Sequence, residues 1–303
     1  MSGPPEVIAV PALERTAPAP GGAASQAGVT ATLARLPGLG TRAWTLIVRG
    51  LWEQRRAVLV WGISLGMLSL FYVVLYPSFR DSLNSYLKNM PPIYLKFLGI
   101  EPGKAFDIGS WMSIEMFGLV LPISLPFFAM AIGARTVAGA EERQELDIVL
   151  GSPIPRWLHV VARSVVMAVG TLAILVLLAL FTWVATLIVG VDLPIARIAA
   201  AAFGVWPFCL AFGSLALMLS TLVRRGAVAL GAAAGLLVVM YVINGVAATV
   251  ERVHELRRLS LFSYLGSAIQ FGIHWVDFAG ILVLAVVLVV LAAALFQRRD
   301  IYA

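Results

Sequence analysis

Six uninterrupted apolar runs, near residues 57–76, 112–134, 160–190, 198–222, 226–250 and 275–296, alternate with short charged stretches along the chain. Each is long enough to cross a hydrocarbon core of roughly 30 Å, which takes about 20 helical residues. Within each run the apolar residues occupy every face, the pattern of a helix with no side turned to water. The pattern predicts an all-α integral membrane protein with six transmembrane helices. Ahead of the first run, "TRAWTLIVRGLWEQRR" (41–56) reads differently. Trp44, Ile47, Val48, Leu51 and Trp52 recur at helical spacing, with Arg42, Thr45, Arg49, Glu53 and Arg56 on the other side. That predicts a basic, tryptophan-bearing amphipathic helix lying in the membrane interface; the alternative is a simple extension of the first span into water.

Residues 1–40 are rich in Ala, Pro, Gly and Ser without a sustained period and predict a disordered tail. They lack the basic start and unbroken apolar core of a signal peptide. Pro122 and Pro126 fall inside the second run, each removing a backbone hydrogen bond, and predict a kink. Small residues four apart, Gly62 with Gly66 and Gly231 with Gly235, suit close helix pairing within or between subunits. Two loops are apolar enough to pack on the membrane: "SYLKNMPPIYLKFLGIE" within 77–111, and "RRLSLFSYLGSAIQFGIHW" after the fifth run, which reads as a re-entrant helix. Each is an outer gate or a packed loop.

Composition agrees with the pattern. The 303 residues are 60% hydrophobic and 13% charged, with a mean hydropathy of +0.93; soluble domains run at about 45–50% and 25%. The net charge of +6 follows from arginines beside span ends rather than from a nucleic-acid-binding face. Arg49, Arg55 and Arg56 precede the first span, Arg135, Arg143, Arg156 and Arg163 surround the turn after the second, Arg224 and Arg225 follow the fourth, and Arg298 and Arg299 follow the sixth. With six spans these segments share one side, which the positive-inside bias makes cytoplasmic, along with both termini. The longer loops after the first and fifth spans carry mixed charge and weigh less.

Several chemistries have no residues to carry them. A lone cysteine, Cys209, forms no intrachain disulfide, and no Cys/His cluster has metal-ligand spacing. The nearest approach to a phosphate-cradling loop, "GIEPGKA" at 99–105, has the wrong spacing, so nucleotide hydrolysis is not expected on this chain. His159, His254 and His274 lie apart from one another and read as interfacial histidines. Glu115, Arg163, Arg197 and Asp277 all fall within a turn or two of a span end, whereas an ion-driven relay needs acids at mid-membrane. Asn244, well inside the fifth run, either meets a substrate or hydrogen-bonds a neighbouring helix.

The charged stretch "GAEERQELDIVLGSPIPRW" (139–157) interrupts the apolar pattern most sharply, with five ionisable residues between Glu141 and Asp147. A cytoplasmic helix over 138–150 would place Glu141 and Glu142 in its first turn, where the helix dipole favours acids. Leu146, Val149 and Leu150 then make an apolar patch, Gly151 stops the helix, and Ser152 with Pro153 starts the next. Such a helix suits another protein's groove; a solvated hairpin is the bland alternative.

These residues resemble the coupling helix of ABC-2 type exporter permeases. Glu141, Glu142, Arg143, Leu146, Asp147, Leu150, Ser152, Pro153 and Arg156 match its pattern, although Gln144 and Glu145 stand where the family usually has Gly-Thr. The likeness extends to "RRAVLVWGISLG" and "LYPSF" around the first span and to the "FQRRDI" ending, most of residues 45–301. The resemblance implies a type V exporter-like permease. Its 1–40 tail and 41–56 interfacial helix would precede a 57–301 six-span domain in a bacterial plasma membrane. It implies that the matched residues dock a separate ABC ATP-binding subunit that holds ATP and Mg, this chain carrying no cofactor. A second copy or a similar permease would complete the membrane part, surrounded by lipid and without nucleic acid. It also places the substrate path along spans two and five, where Phe117, Met240, Tyr241 and Asn244 are the candidates. The cargo expected is a hydrophobic or amphipathic compound such as a drug, antibiotic or lipid. The competing readings are a scaffold that recruits an ATPase without transport, and an ion-coupled transporter.

Overall fold

The computed structural model describes residues 38–88, 107–142, 155–249 and 251–298. Six long helices carry the apolar runs: α1 (Leu39–Lys88), α2 (Ile108–Thr136), α4 (Arg156–Val189), α5 (Ile195–Leu222), α6 (Gly226–Thr249) and α8 (Trp275–Arg298). All six are long and apolar enough to cross a membrane, and no strand occurs among the described residues. Two short helices interrupt the series, α3 (Ala138–Glu142) after α2 and α7 (Ala268–Phe271) before α8. Residues Arg42–Ala303 form one compact unit; of the unit Met1–Thr41, only 38–41 are described.

The amphipathic stretch 41–56 is not a separate helix. It forms the first turns of α1, which runs 50 residues without a break, about 75 Å at 1.5 Å per residue. Nothing between Thr41 and Tyr76 stops a helix, because the first proline, Pro77, comes only after the span. Gly50, the one flexible residue in the amphipathic part, is held against Val166 of α4.

Helix ends follow local chemistry. Asp107 caps α2, its carboxylate accepting from the Ser110 amide at 2.9 Å. Gly190 ends α4 in the left-handed conformation (φ 73°) and donates its amide to Thr186. The chain then turns through Pro194 directly into α5. A connection this short makes α4 and α5 antiparallel neighbours, and the indole N–H of Trp206 on α5 reaches the Ala168 carbonyl of α4 at 3.0 Å.

The core centres on α5. Gly133 of α2 and Gly213 of α5 cross with the backbones nearly touching: a Cβ on Gly133 would lie 2.3 Å from the Gly213 carbonyl oxygen. Only glycine allows this approach, the small-residue packing that membrane helices use when no hydrophobic force draws them together. Phe208 and Phe212 of α5 and Met130 of α2 are fully buried around it. Helix α1 packs on α4 by the same device, with Gly62 against Leu177 and Gly66 against Phe181. Gly231 and Gly235 of α6 have no neighbouring atom within 4 Å of where a side chain would begin.

The first of the two prolines of α2 follows a distortion of the helix. Ser113–Val120 is a π-helix, and its wide turn ends where Leu121 donates to the Met116 carbonyl five residues back. The next residue is Pro122, which has no N–H to continue either register. The loop after α6 differs from a single re-entrant helix. It is broken into 3₁₀ turns at Glu251–Leu259 and Leu261–Tyr264 followed by α7, with Gly266 and Gly272 at positive φ flanking α7.

Candidate docking segment and substrate path

The candidate docking segment begins where α2 ends. Thr136 turns its hydroxyl back onto the Ile132 carbonyl, Val137 breaks the helix, and α3 starts at Ala138 with the Glu141 amide donating to Val137. Ala138, Gly139 and Ala140 are buried because their small side chains let α3 lie on the start of α6: a Cβ on Gly226 would be 3.4 Å from the Gly139 backbone. Glu141 is half-buried and Glu142 exposed. The remaining predicted docking residues Arg143, Leu146, Asp147, Leu150, Ser152 and Pro153 lie outside the described residues, as does most of the 138–150 helix.

The segment returns at Pro155, which caps α4 ahead of Arg156. A cation in a first helical turn is disfavoured by the dipole, but the Arg156 guanidinium lies over the Phe296 ring of α8, 5.9 Å from its centre. Val137 and Ala140, at the outgoing end, share a buried cluster with Val160 of α4, Leu217 of α5 and Phe296 of α8. Both ends of the docking segment are therefore rooted in one knot that joins four membrane helices, with α6 touching it through Gly226.

His159, next to Val160 of this knot, is buried by the chain itself. It is 8% exposed, and its imidazole hydrogen-bonds the backbone of Thr136, the residue before the break. His274 is exposed. Arg163, one turn on, reaches across to Glu53 of α1 at 3.2 Å, and Arg49 reaches the same carboxylate at 3.2 Å.

The four candidate path residues fall in two places. Phe117 is buried in the π segment, where it lines a crevice with Ser113, Gly204 and the 265–269 turn. The crevice holds about 10 Å³, room for one water. Met240, Tyr241 and Asn244 lie on α6 beside the 3₁₀ turns: the Met240 carbonyl accepts from Ser260, and Tyr241 meets Phe262 edge to face at 5.5 Å. Asn244 is half-buried, and its side-chain oxygen has no hydrogen-bond partner among the described residues. Phe262 touches Phe208 of α5 as well, so one aromatic joins the α6 group to the core.

Sequence reasoning missed the polar contacts that hold the loop between α6 and α8 in place. The Gln270 amide donates to Ser110 at 2.9 Å, Ser110 donates to Asp107 at 2.6 Å, and Ser113 and Ser267 share a hydrogen bond at 2.6 Å. Only the Asp107-x-x-Ser110 cap was readable from spacing; the partners are some 155 residues away.

No curated protein matches the chain. The profile of the ABC-2 family transporter proteins matches residues 44–301, from the first turns of α1 to beyond the end of α8. With six apolar helices arranged as above, the chain belongs to that family and is a multi-pass membrane permease of the ABC transporter type.

Proposed function

We propose that this permease exports a hydrophobic or amphipathic compound, with the energy supplied by a separate ATP-binding subunit seated on the 138–150 segment. The observation that carries the reading is the root of that segment. A force applied to a helix held at Val137, Ala140 and Arg156 is passed at once to α2, α4, α5 and α8, and through Gly226 to α6. A packed knot of this kind moves as a unit rather than absorbing the push.

ATP and Mg belong to the partner in this reading. Glu141, Glu142 and Arg143 supply charge to its groove, and Leu146, Asp147, Leu150, Ser152 and Pro153 supply shape. Closure of two ATPase subunits then switches the spans between inward-open and outward-open states, which must differ in their affinity for the cargo. A second permease, the same chain or a similar one, covers the open faces of the bundle. The path runs past Phe117, Met240, Tyr241 and Asn244, with the 3₁₀ turns as its outer wall. The arginine-bearing ends, and both termini, face the cytoplasm of a bacterial cell.

Co-purification of the tagged chain, followed by ATPase assays with a panel of amphipathic compounds, tests the proposal. It expects a stoichiometric ATPase partner whose turnover responds to at least one compound. A chain that purifies alone, with no nucleotide-dependent activity in its membranes, would contradict it.

A further inference from the structure

The exposed side of α1 changes character between Arg56 and Leu59. Before that point it shows Arg49, Trp52, Arg55 and Arg56; after it, Leu59, Val60 and Ile63. The packing against α4 fixes the depth of this change. Gly50 meets Val166, Val58 meets Gly170, Gly62 meets Leu177 and Gly66 meets Phe181, so partners differ in number by 112 to 116 and the two helices run parallel. Arg55 and Arg56 therefore stand level with residues 167–172 of α4. The last charged residue of α4 is Arg163, at least four positions earlier, or about 6 Å or more along the axis. Val58, two residues on, already packs at Gly170 beside Phe128 of α2.

Two exposed cations thus stand level with apolar residues of α4, deeper along the bundle than that helix's last charged residue. A charge at that depth needs an anion or a polar layer within reach of its side chain. Glu53 does not serve, being taken by Arg49 and Arg163, and no other described carboxylate lies within ion-pair distance of Arg55 or Arg56. The Arg55 guanidinium lies over the Trp52 ring at 4.0 Å, and Trp52 itself is 62% exposed. An open indole with a cation on its face is the arrangement of the layer between headgroups and acyl chains.

We propose that Trp52, Arg55 and Arg56 bind the headgroup of an anionic phospholipid, whose acyl chain lies along Leu59, Val60 and Ile63. The guanidinium groups donate to the phosphate oxygens in the paired geometry that arginine favours. The apolar strip continuing from the cations along the same face selects a lipid over an acidic protein, which has no use for it. The inference rests on the chain spanning a bilayer and not on export or an ATPase, so its assay needs neither.

The full chain is reconstituted in vesicles, and spin-labelled phosphatidylglycerol is compared with spin-labelled phosphatidylcholine for the fraction immobilised at the protein surface. The wild type is expected to prefer phosphatidylglycerol, and the preference should fall as salt is raised. R55Q/R56Q should lose it by about five-fold per arginine, R55K/R56K should keep most of it, and R224Q/R225Q, which alters cations on another turn, should keep most of it too. An unchanged preference in R55Q/R56Q would overturn the proposal. So would displacement of the lipid from the wild type by millimolar inorganic phosphate, which marks a site for a free anion. A change of oligomeric state in R55Q/R56Q with lipid preference intact would assign the arginines to a second copy and equally refute it. If the glutamine pair fails to fold, salt dependence in the wild type and the single variants R55Q and R56Q decide the matter.

Discussion

Helices α5 and α6 adjoin in sequence, joined only through Val223–Arg225, yet they live in different surroundings. The most apolar stretch of α5 is 67% buried by its own chain, and that of α6 only 22%. Both contain glycines, used in opposite ways. Gly213 of α5 is pressed by Met167 and Ala129, while Gly231, Gly235 and Gly245 of α6 face open space. Hydropathy does not separate the two, because in a membrane protein lipid and neighbouring helices are equally apolar. What separates them is whether the small residues have a partner. In α5 they build the fold of one chain; in α6 they leave a smooth face on which lipid or another subunit can lie.

The sharpest way to break this contrast is an alanine at each kind of glycine. G133A places a Cβ 2.3 Å from the backbone oxygen of Gly213, so the two helices must separate. Thermal unfolding in detergent should show a loss of about 3 kcal/mol or failure to accumulate folded protein. G231A and G235A should leave the single chain within about 1 kcal/mol of wild type, with any gain coming from helix propensity. Severe destabilisation of the isolated chain by G231A would mean that α6 is not open.

A smaller effect is expected at Gly118, where a side chain would meet the Ser113 carbonyl at 2.6 Å across the π turn. G118A should cost about 1–2 kcal/mol and raise hydrogen-exchange rates in 113–120; unchanged exchange there would show that the wide turn tolerates a side chain. Next comes Q270A, which removes the amide that ties α7 to Ser110. Interhelical hydrogen bonds in membranes average about 0.6 kcal/mol. The loop over 261–272 should become more accessible to protease while the α2–α5 crossing stays intact, and equal loosening of both would deny the loop its separate character. The smallest change belongs to E53Q, which releases Arg49 and Arg163 at a site where the carboxylate side chain is 44% exposed. Such a pair contributes about 0–1 kcal/mol, so an unfolding shift much larger than this would show that α1 is held to α4 by charge rather than by Gly62 and Gly66.

The six spans were legible because an apolar run of 20 or more residues has few other uses, and the arginine flanks were legible for the same reason. Three features were not. The packing of α1 on α4 at Gly50, where Val166 lies against the glycine, is a contact invisible to a pattern that sees only a change from amphipathic to apolar. The π turn ends just before Pro122, whose missing N–H sequence shows, and Ser113 at its start shares a hydrogen bond with Ser267, which sequence does not show. The burial of His159 was not legible either, because its hydrogen bond to the Thr136 backbone joins residues more than twenty positions apart. Of the docking residues, Glu141, Glu142 and Arg156 have places at or beside the helix knot, while the six between them lie outside the described residues.

The central claim is that a partner seated on the segment after α2 drives the spans, and E142R tests it most directly. Glu142 is exposed at the end of α3 and no part of the buried knot, so the exchange should leave insertion and folding unchanged. In the reconstituted complex the account predicts weaker binding of the ATPase subunit and hydrolysis no longer linked to export. Export at the wild-type rate with the ATPase still bound would contradict it.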